Sequence, residues 1–483
     1  SITHTFYFMH ISLPKIIQGG MGVGVSNWRL AQAVARLGQL GIVSGTGLDQ
    51  VLARRLQEGD LGGDVRRALA HFPFPQMAQR ILRTLFIPGG KQPEEAYKAG
   101  EKPALKNSHW FDELCIVSNF VEVFLAREGH SNPVGINYLE KIQFPHLPSA
   151  YGAMLAGAAV VIVGAGIPVE FPGVLDALSR HEAATYTIRV HGATPETDCQ
   201  RVFDPALFIE DGCTPPVLLR PDFLPIISSD SLATMLLRRA SGSVEGFVIE
   251  GPTAGGHNAP PRGPMQLSSD GQPIYGARDV VKLDAMRKIG MPFWLGGAYG
   301  SPEALRAALA EGAAGVQVGT PFALCVESGM RTDVRHALIR HALAGSGKVF
   351  TDPLASPTGF PFKVAQLEGT LSDPAVYAAR RRVCDLGYLL ESYRKEDGSV
   401  GYRCPAEPVA SYVAKGGKEA DTVERKCICN GLFGDIGLAQ VRPDGAREPA
   451  IVTLGDDVAN IGRFCTSEKP DYTAADAVRT ILG

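Results

Sequence analysis

From residue 14 onward, short β-branched runs that end in glycine alternate with Ala/Leu/Arg-rich stretches of helical period. A chain patterned this way builds parallel strands joined by crossover helices. Strands buried on both faces read as continuous apolar runs, while the helices between them keep one polar face. Eight such runs are present: Lys15–Gly19, Gly41–Ser44, Pro133–Asn137, Val160–Val163, Leu224–Ser228, Gly246–Glu250, Pro292–Leu295 and Gly315–Val318. Helices fit at Asn27–Leu37, Asp49–Glu58, Ser231–Ala240 and Pro302–Ala310, the last with Ser301 as N-cap and Pro302 at its first position. Eight strand–helix units favour a closed (β/α)8 TIM barrel, with an open doubly wound α/β sheet as the alternative.

Two insertions interrupt the rhythm. The segment near 60–131 is too long for a plain loop and is expected to hold helices of its own. The segment near 185–222 carries an additional short strand at Tyr186–Val190 followed by a Pro-rich stretch. The resulting division is a barrel over 9–364 and a Cys- and Gly-containing C-terminal extension over 365–483, ending in a helix at Thr473–Leu482 packed on the body. Residues 1–8 look unrelated to the strand pattern that begins beyond Met9 and read as an expression remnant.

Charge and hydropathy exclude several classes. A formal net charge of −3, without a dense Lys/Arg run, argues against a nucleic-acid partner. The longest apolar run, Ala156 to Val169, is broken by Gly and Pro and is shorter than the roughly 20 residues of a membrane span. No membrane association and a cytoplasmic location are therefore expected. Nine cysteines, odd in number and unevenly spread, argue against a disulfide framework and for reduced thiols.

Three constellations carry chemistry. The run Gly246-Phe247-Val248-Ile249-Glu250-Gly251-Pro252-Thr253-Ala254-Gly255-Gly256-His257 passes from a buried strand into a loop of small residues with one imidazole. Such a loop lets backbone approach a planar ligand and places a titratable group on the rim where barrels do their chemistry. Gly-Gly-His alone is equally a surface turn, but Glu250 at the mouth of an apolar barrel adds weight. Gly296-Gly297 after the seventh strand and Gly319-Thr320 after the eighth fit a phosphate site of exposed amides and one hydroxyl. Strand one runs into Gln18-Gly19-Gly20-Met21-Gly22 and strand three ends in Gly135-Ile136-Asn137. An amide that both donates and accepts would suit flavin recognition there.

Taken in order along the chain, Gln18–Met21, Ala254–His257, Gly296–Gly297 and Gly319–Phe322 resemble the nitronate monooxygenase (2-nitropropane dioxygenase) family over roughly residues 14 to 364, in a long form with the C-terminal extension. The resemblance implies an FMN-binding barrel with His257 as the active-site histidine. It implies Gly20, Met21, Asn137, Glu250, Gly255, Gly256, Gly296, Gly297, Gly319 and Thr320 at cofactor-binding positions. Gly20 stands where many members have Pro, and Pro252 interrupts the strand-six loop. The implied activity is oxidation of alkyl nitronates or related carbon acids with O2. A small molecule and O2 are then the partners, and a homo-oligomer is allowed.

Two other readings stay open. A related barrel family, the FMN- and NAD(P)H-dependent enoyl-thioester reductases, also uses a Gly-Gly-His loop and would bring an acyl carrier protein as partner. A catalytically idle flavin- or metal-binding scaffold is the third. Four extension thiols, Cys404, Cys427, Cys429 and Cys465, have the chemistry of a tetrahedral metal site. Their Cys-x-Cys spacing and the remoteness of Cys465 favour buried structural thiols, and no metal is assigned.

Overall fold

The computed structural model describes residues 12–194 and 199–483. The segment 1–8, read above as an expression remnant, lies outside them. The eight expected strands all form: Ile16–Gln18, Gly41–Ser44, Val134–Leu139, Val160–Gly164, Asp222–Ile227, Phe247–Glu250, Phe293–Gly296 and Gly315–Val318. Every neighbouring pair is parallel, and the first strand pairs with the eighth.

The remaining seam, between strands one and two, is closed at its base by Gln18 N–H donating to Leu40 O at 3.0 Å and Leu40 N–H to Ile16 O at 3.1 Å. Higher up, the Gln18 side chain continues the ladder. Its Nε2 donates to Ile42 O at 3.0 Å and its Oε1 accepts from Ile42 N at 3.0 Å. The sheet is thus a closed barrel, and the open alternative is excluded.

Inside, successive side chains alternate between lumen and outer face, as a period of two requires. Ile17, Ile42, Ile162, Leu224, Val248 and Trp294 fill the lumen as a separate buried cluster, with Trp294 Nε1 donating to Pro14 O at 2.8 Å. The next inward positions toward the C-terminal rim are Glu250, Gly296 and Gln317. Glu250 and Gly296 stand two residues on from Val248 and Trp294, and all three are in register with one another. The fold therefore plugs the barrel with hydrocarbon and sets its first polar layer just under the rim.

Leu48–Gln57 is the helix expected after strand two, and the insertion near 60–131 that follows it holds Asp64–Leu69, Pro75–Leu85 and the long His109–Arg127. The second insertion forms an antiparallel hairpin of Ala184–Ile188 and Cys199–Phe203 outside the barrel. The C-terminal helix, Ala474–Leu482, starts in a capping box at Thr473 and contacts both Trp28–Ala35 and Pro302–Ala310. Those two helices come after strands one and seven, so the last helix fills the eighth slot of the outer ring. The extension also supplies Ile428, Phe433, Ile451, Val452 and Leu454 to the main hydrophobic cluster shared with the barrel helices. Among the described residues, no helix is long and apolar enough to cross a membrane.

Candidate active site

A cavity of about 1370 Å³, its open mouth included, sits on the C-terminal ends of the strands. Of the residues singled out from the sequence, His257, Gly20, Met21, Asn137, Glu250, Gly255, Gly256, Gly297, Gly319 and Thr320 all line it. Gly296 does not. It lies in the strand below, where a Cβ would stand 3.3 Å from both Gln317 Nε2 and Glu250 Cγ. Its missing side chain makes room for their contact, and among the expected cofactor positions it is the one that does not line the cavity.

That contact is the floor of the site. Gln317 Nε2 donates to Glu250 Oε1 at 2.7 Å, and Gln317 Oε1 is buried without a partner among the described residues. A buried carbonyl oxygen left unpaired costs about 1–3 kcal/mol, which a ligand N–H can recover. Burial pushes the Glu250 carboxyl up to about 7, against the opposing hydrogen bond from Gln317. A carboxyl that exchanges its proton near neutrality therefore faces the cavity floor.

His257 leaves the loop after strand six, where Asn258 N–H donates to Pro361 O at 2.9 Å and Lys363 N–H to Gly256 O at 3.0 Å. These bonds fasten the loop to the hairpin Val349–Asp352/Phe362–Ala365. The imidazole Nε2 lies 2.7 Å from Ser356 Oγ, and its ring rests 4.8 Å from that of Phe362. Ser356 Oγ in turn lies 2.7 Å from Thr358 Oγ1. Burial, followed by the nearby Lys141 cation, pushes His257 down to about 3, so it is a neutral imidazole at physiological pH. The hydroxyl pair decides its tautomer: if Ser356 donates to Thr358, Nε2 carries the proton and Nδ1 is a base.

Lys141, which belongs to none of the motifs, donates to Ala165 O at 2.7 Å and sits 3.7 Å over the Phe360 ring. Burial, with Arg189 adding to it, pushes its amine down to about 7. Ser356 was equally silent in sequence, because it reaches His257 across 99 positions.

The expected phosphate corner is shaped partly by the extension. Gly455 N–H donates to Thr320 Oγ1 at 2.9 Å, and Gly256 N–H donates to Thr453 Oγ1 at 2.7 Å. Thr320 therefore keeps its own O–H for a ligand, whereas the Gly256 amide is already engaged. Met21 N–H is likewise turned to Ser26 Oγ at 2.9 Å. Among the described residues, no Lys or Arg lines the cavity, while Asp457 does, accepting from Gly300 N–H at 3.1 Å.

The residues present fit a flat ring with an imide N–H over the Gln317 carbonyl and a phosphate met by hydroxyl and amide donors instead of cations. Tyr388, Leu389, Ile428, Cys429 and Leu432 of the extension build an apolar outer wall.

Residues 221–349, covering strands five to eight, match the family model for nitronate monooxygenase, so the resemblance read from the sequence is shown over that half of the barrel. No curated protein matches the chain by sequence. Solved structures similar in fold include FabK from Thermotoga maritima, at 16% identity and a TM-score of 0.45, covering 98% of this chain and 93% of that one. Nitroalkane oxidase from Streptomyces ansochromogenes stands at 14% identity and 0.44, covering 97% and 94%. The enoyl reductase domain of MlnA from the macrolactin cluster of Bacillus amyloliquefaciens stands at 10% and 0.45, covering 98% and 94%. Similarity at this level does not separate one activity from another.

Proposed function

We propose that the chain is an FMN-dependent oxidoreductase that oxidises alkyl nitronates or related carbon acids, with O2 as electron acceptor. The observation that carries this reading is the neutral imidazole of His257, fixed by Ser356 over a cavity whose floor is the Glu250–Gln317 pair. The family match over 221–349 supports it.

FMN, when bound, supplies the two-electron acceptor for such chemistry. Gln317 and Asn137 would hold its ring, and Thr320 with the turns at Gly297 and Gly319 its phosphate. His257 Nδ1 has no protein partner among the described residues and is the nitrogen left to meet substrate. It takes a proton from a carbon acid, or hydrogen-bonds the charge of a nitronate. Glu250 in its protonated form keeps the floor neutral beneath an anionic substrate. The closed barrel forms the floor beneath the reacting face, and the apolar wall bounds its outer side.

A second reading is favoured by that wall. Tyr388, Leu389, Ile428 and Leu432 extend the cavity beyond the barrel rim with hydrocarbon, more than a small nitroalkane needs. An enoyl thioester reduced with NAD(P)H would use that length. The purified protein should carry flavin absorbance, bleached anaerobically by ethyl or propyl nitronate and unaffected by NAD(P)H. Bleaching by NAD(P)H alone would move the assignment to the reductase, and failure to bind FMN would remove both.

A further inference from the structure

Behind the apolar wall of the active-site cavity lies a second, small cavity onto which four thiols open: Cys384, Cys404, Cys427 and Cys429. Cys429 faces both cavities. The grouping differs from the one spacing suggested, because Cys465 is elsewhere, its Sγ donating to Ile461 O, and Cys384 takes its place. Among the described residues, no three Cys, His, Asp or Glu side chains stand so as to hold a metal. The thiols divide instead by their surroundings. Cys427 accepts from Asn430 Nδ2 at 3.4 Å, and Cys429 is turned toward the amides of Tyr388 and Leu389. Cys384 and Cys404 are hydrogen-bonded to each other.

Their positions in the chain matter. The strands Glu391–Arg394 and Val400–Arg403 form an antiparallel hairpin in which Glu391 pairs with Arg403. Cys404 comes directly after it and Cys384 stands seven residues before it, so a bond between the two thiols would close the stretch of chain that contains the hairpin. Cys384 is partly exposed and Cys404 buried. Reactive thiols of redox pairs have this asymmetry: an accessible sulfur whose thiolate is stabilised, next to a resolving sulfur shielded from reagents. The Cys404 hydrogen bond holds the Cys384 thiol below its usual range, with the Lys102 cation adding to it, while the same bond and burial push Cys404 up.

We propose that Cys384 and Cys404 form a reversible thiol–disulfide pair, with Cys384 as the attacking and Cys404 as the resolving sulfur. The oxidant is a low-molecular-weight disulfide of the glutathione type, RSSR. The Cys384 thiolate attacks one sulfur, forming a mixed disulfide and releasing one RS⁻, which takes up the proton Cys384 lost. Cys404 then attacks the Cys384 sulfur, breaking the mixed bond and releasing the second RSH with the Cys404 proton. The two cysteines are oxidised by two electrons, and one RSSR becomes two RSH. The new bond ties the 384–390 segment, which carries Tyr388 and Leu389 of the cavity wall, to the base of the hairpin.

The full-length protein is incubated in a graded oxidised/reduced glutathione series, quenched with acid, alkylated and mapped by mass spectrometry. The expected result is the loss of two free thiols out of nine, recovered as one cross-linked peptide pair containing Cys384 and Cys404. Cys404→Ser should stall at a glutathione adduct on Cys384, Cys384→Ser should abolish both products, and Cys465→Ser should change nothing. Should Cys384→Ser fail to fold, the order of alkylation in the unmodified protein decides, with Cys384 expected first. Cross-links at Cys427–Cys429, an unreactive Cys384 in Cys404→Ser, or four thiols inert until a chelator strips a bound metal would each overturn the pair.

Discussion

His257 Nε2 lies 2.7 Å from Ser356 Oγ, so a loop from strand six is oriented by a fully buried hydroxyl that arrives only after the eighth strand. Removing that hydroxyl by Ser356→Ala leaves the imidazole in place without its tautomer partner. Turnover of an alkyl nitronate should fall about 10- to 100-fold, the size of loss that follows removal of the groups orienting metal-bound histidines. His257→Ala should cost about 100- to 10,000-fold, the usual share of a positioned general acid–base. Steady-state kinetics of the two variants checks the order. Equal losses would make Ser356 as direct a participant as the imidazole.

Two groups at the site change charge near pH 7, Glu250 on the cavity floor and Lys141 beside His257, while His257 stays neutral down to about pH 3. An ionised Glu250 repels an anionic nitronate, so kcat/KM should decline as pH rises through about 7. Glu250→Gln should reduce that decline, leaving only the part that loss of the Lys141 cation contributes. His257→Asn should lower the rate and keep the limb. A limb that vanishes in His257→Asn and persists undiminished in Glu250→Gln would assign the titration to the imidazole.

Glu250 and His257 pull stability in opposite directions. The folded value of Glu250 is raised from 4.5 to about 7, so its contribution is present below 4.5 and is lost as pH rises through 7. The folded value of His257 is lowered from 6.5 to about 3, so its contribution is present above 6.5 and is lost as pH falls toward 3. Between pH 4.5 and 6.5 the two slopes oppose each other. Compared with the unmodified chain, urea unfolding of Glu250→Gln should therefore show a stability slope shifted upward with pH in that window, and His257→Asn a slope shifted downward. Each slope is bounded by the one-proton limit of about 1.4 kcal/mol per pH unit.

The barrel was legible because most of its strands are short apolar runs closed by glycine, a signal local to a few residues. Gly41–Ser44 and Gly315–Val318 form with the expected bounds. The rim was legible for the same reason: the Gly-Gly-His loop and the Gly297 and Gly319 turns come directly after strands. What had no local signal is everything that reaches the cavity from far along the chain: Ser356 and Lys141 beside His257, Thr453 on Gly256, and the wall at Tyr388 and Leu389. Gly296 and Gly297 are alike in sequence but differ in place: Gly296 closes strand seven in the layer of Glu250 and Gln317 and does not line the cavity, whereas Gly297, just past the strand end, does.

Gly20 answers to a close approach. A Cβ there would stand 2.5 Å from Asn137 Cβ and 3.1 Å from Ile42 Cγ2. Gly20→Ala must displace Asn137, whose Nδ2 donates to Gly20 O at 3.2 Å. Overpacking of this kind costs about 1–3 kcal/mol. Thermal unfolding should show that loss together with weaker FMN retention, since the displaced amide is one expected to touch the ring. Lost stability with unchanged FMN affinity would take Asn137 out of the flavin site.

Thr453 tests whether the extension belongs to the site or only covers it. Its Oγ1 accepts the Gly256 N–H at 2.7 Å. Two residues further on, Gly455 N–H reaches Thr320, so one stretch of the extension runs along the rim and touches both loops. Thr453→Val keeps the shape and removes the acceptor, leaving the Gly256 amide unpaired beside His257 at a cost of about 1–3 kcal/mol. If the segment positions the loop after strand six, part of that cost appears as weaker binding, with the FMN dissociation constant rising about tenfold for each 1.4 kcal/mol expressed there. Thr453→Ser, which keeps the hydroxyl, should restore it. Fluorescence titration of the apoprotein with FMN reads the difference. A Thr453→Val protein that binds FMN as tightly as the unmodified chain would place residues 453–457 outside the binding machinery and leave the extension a cover.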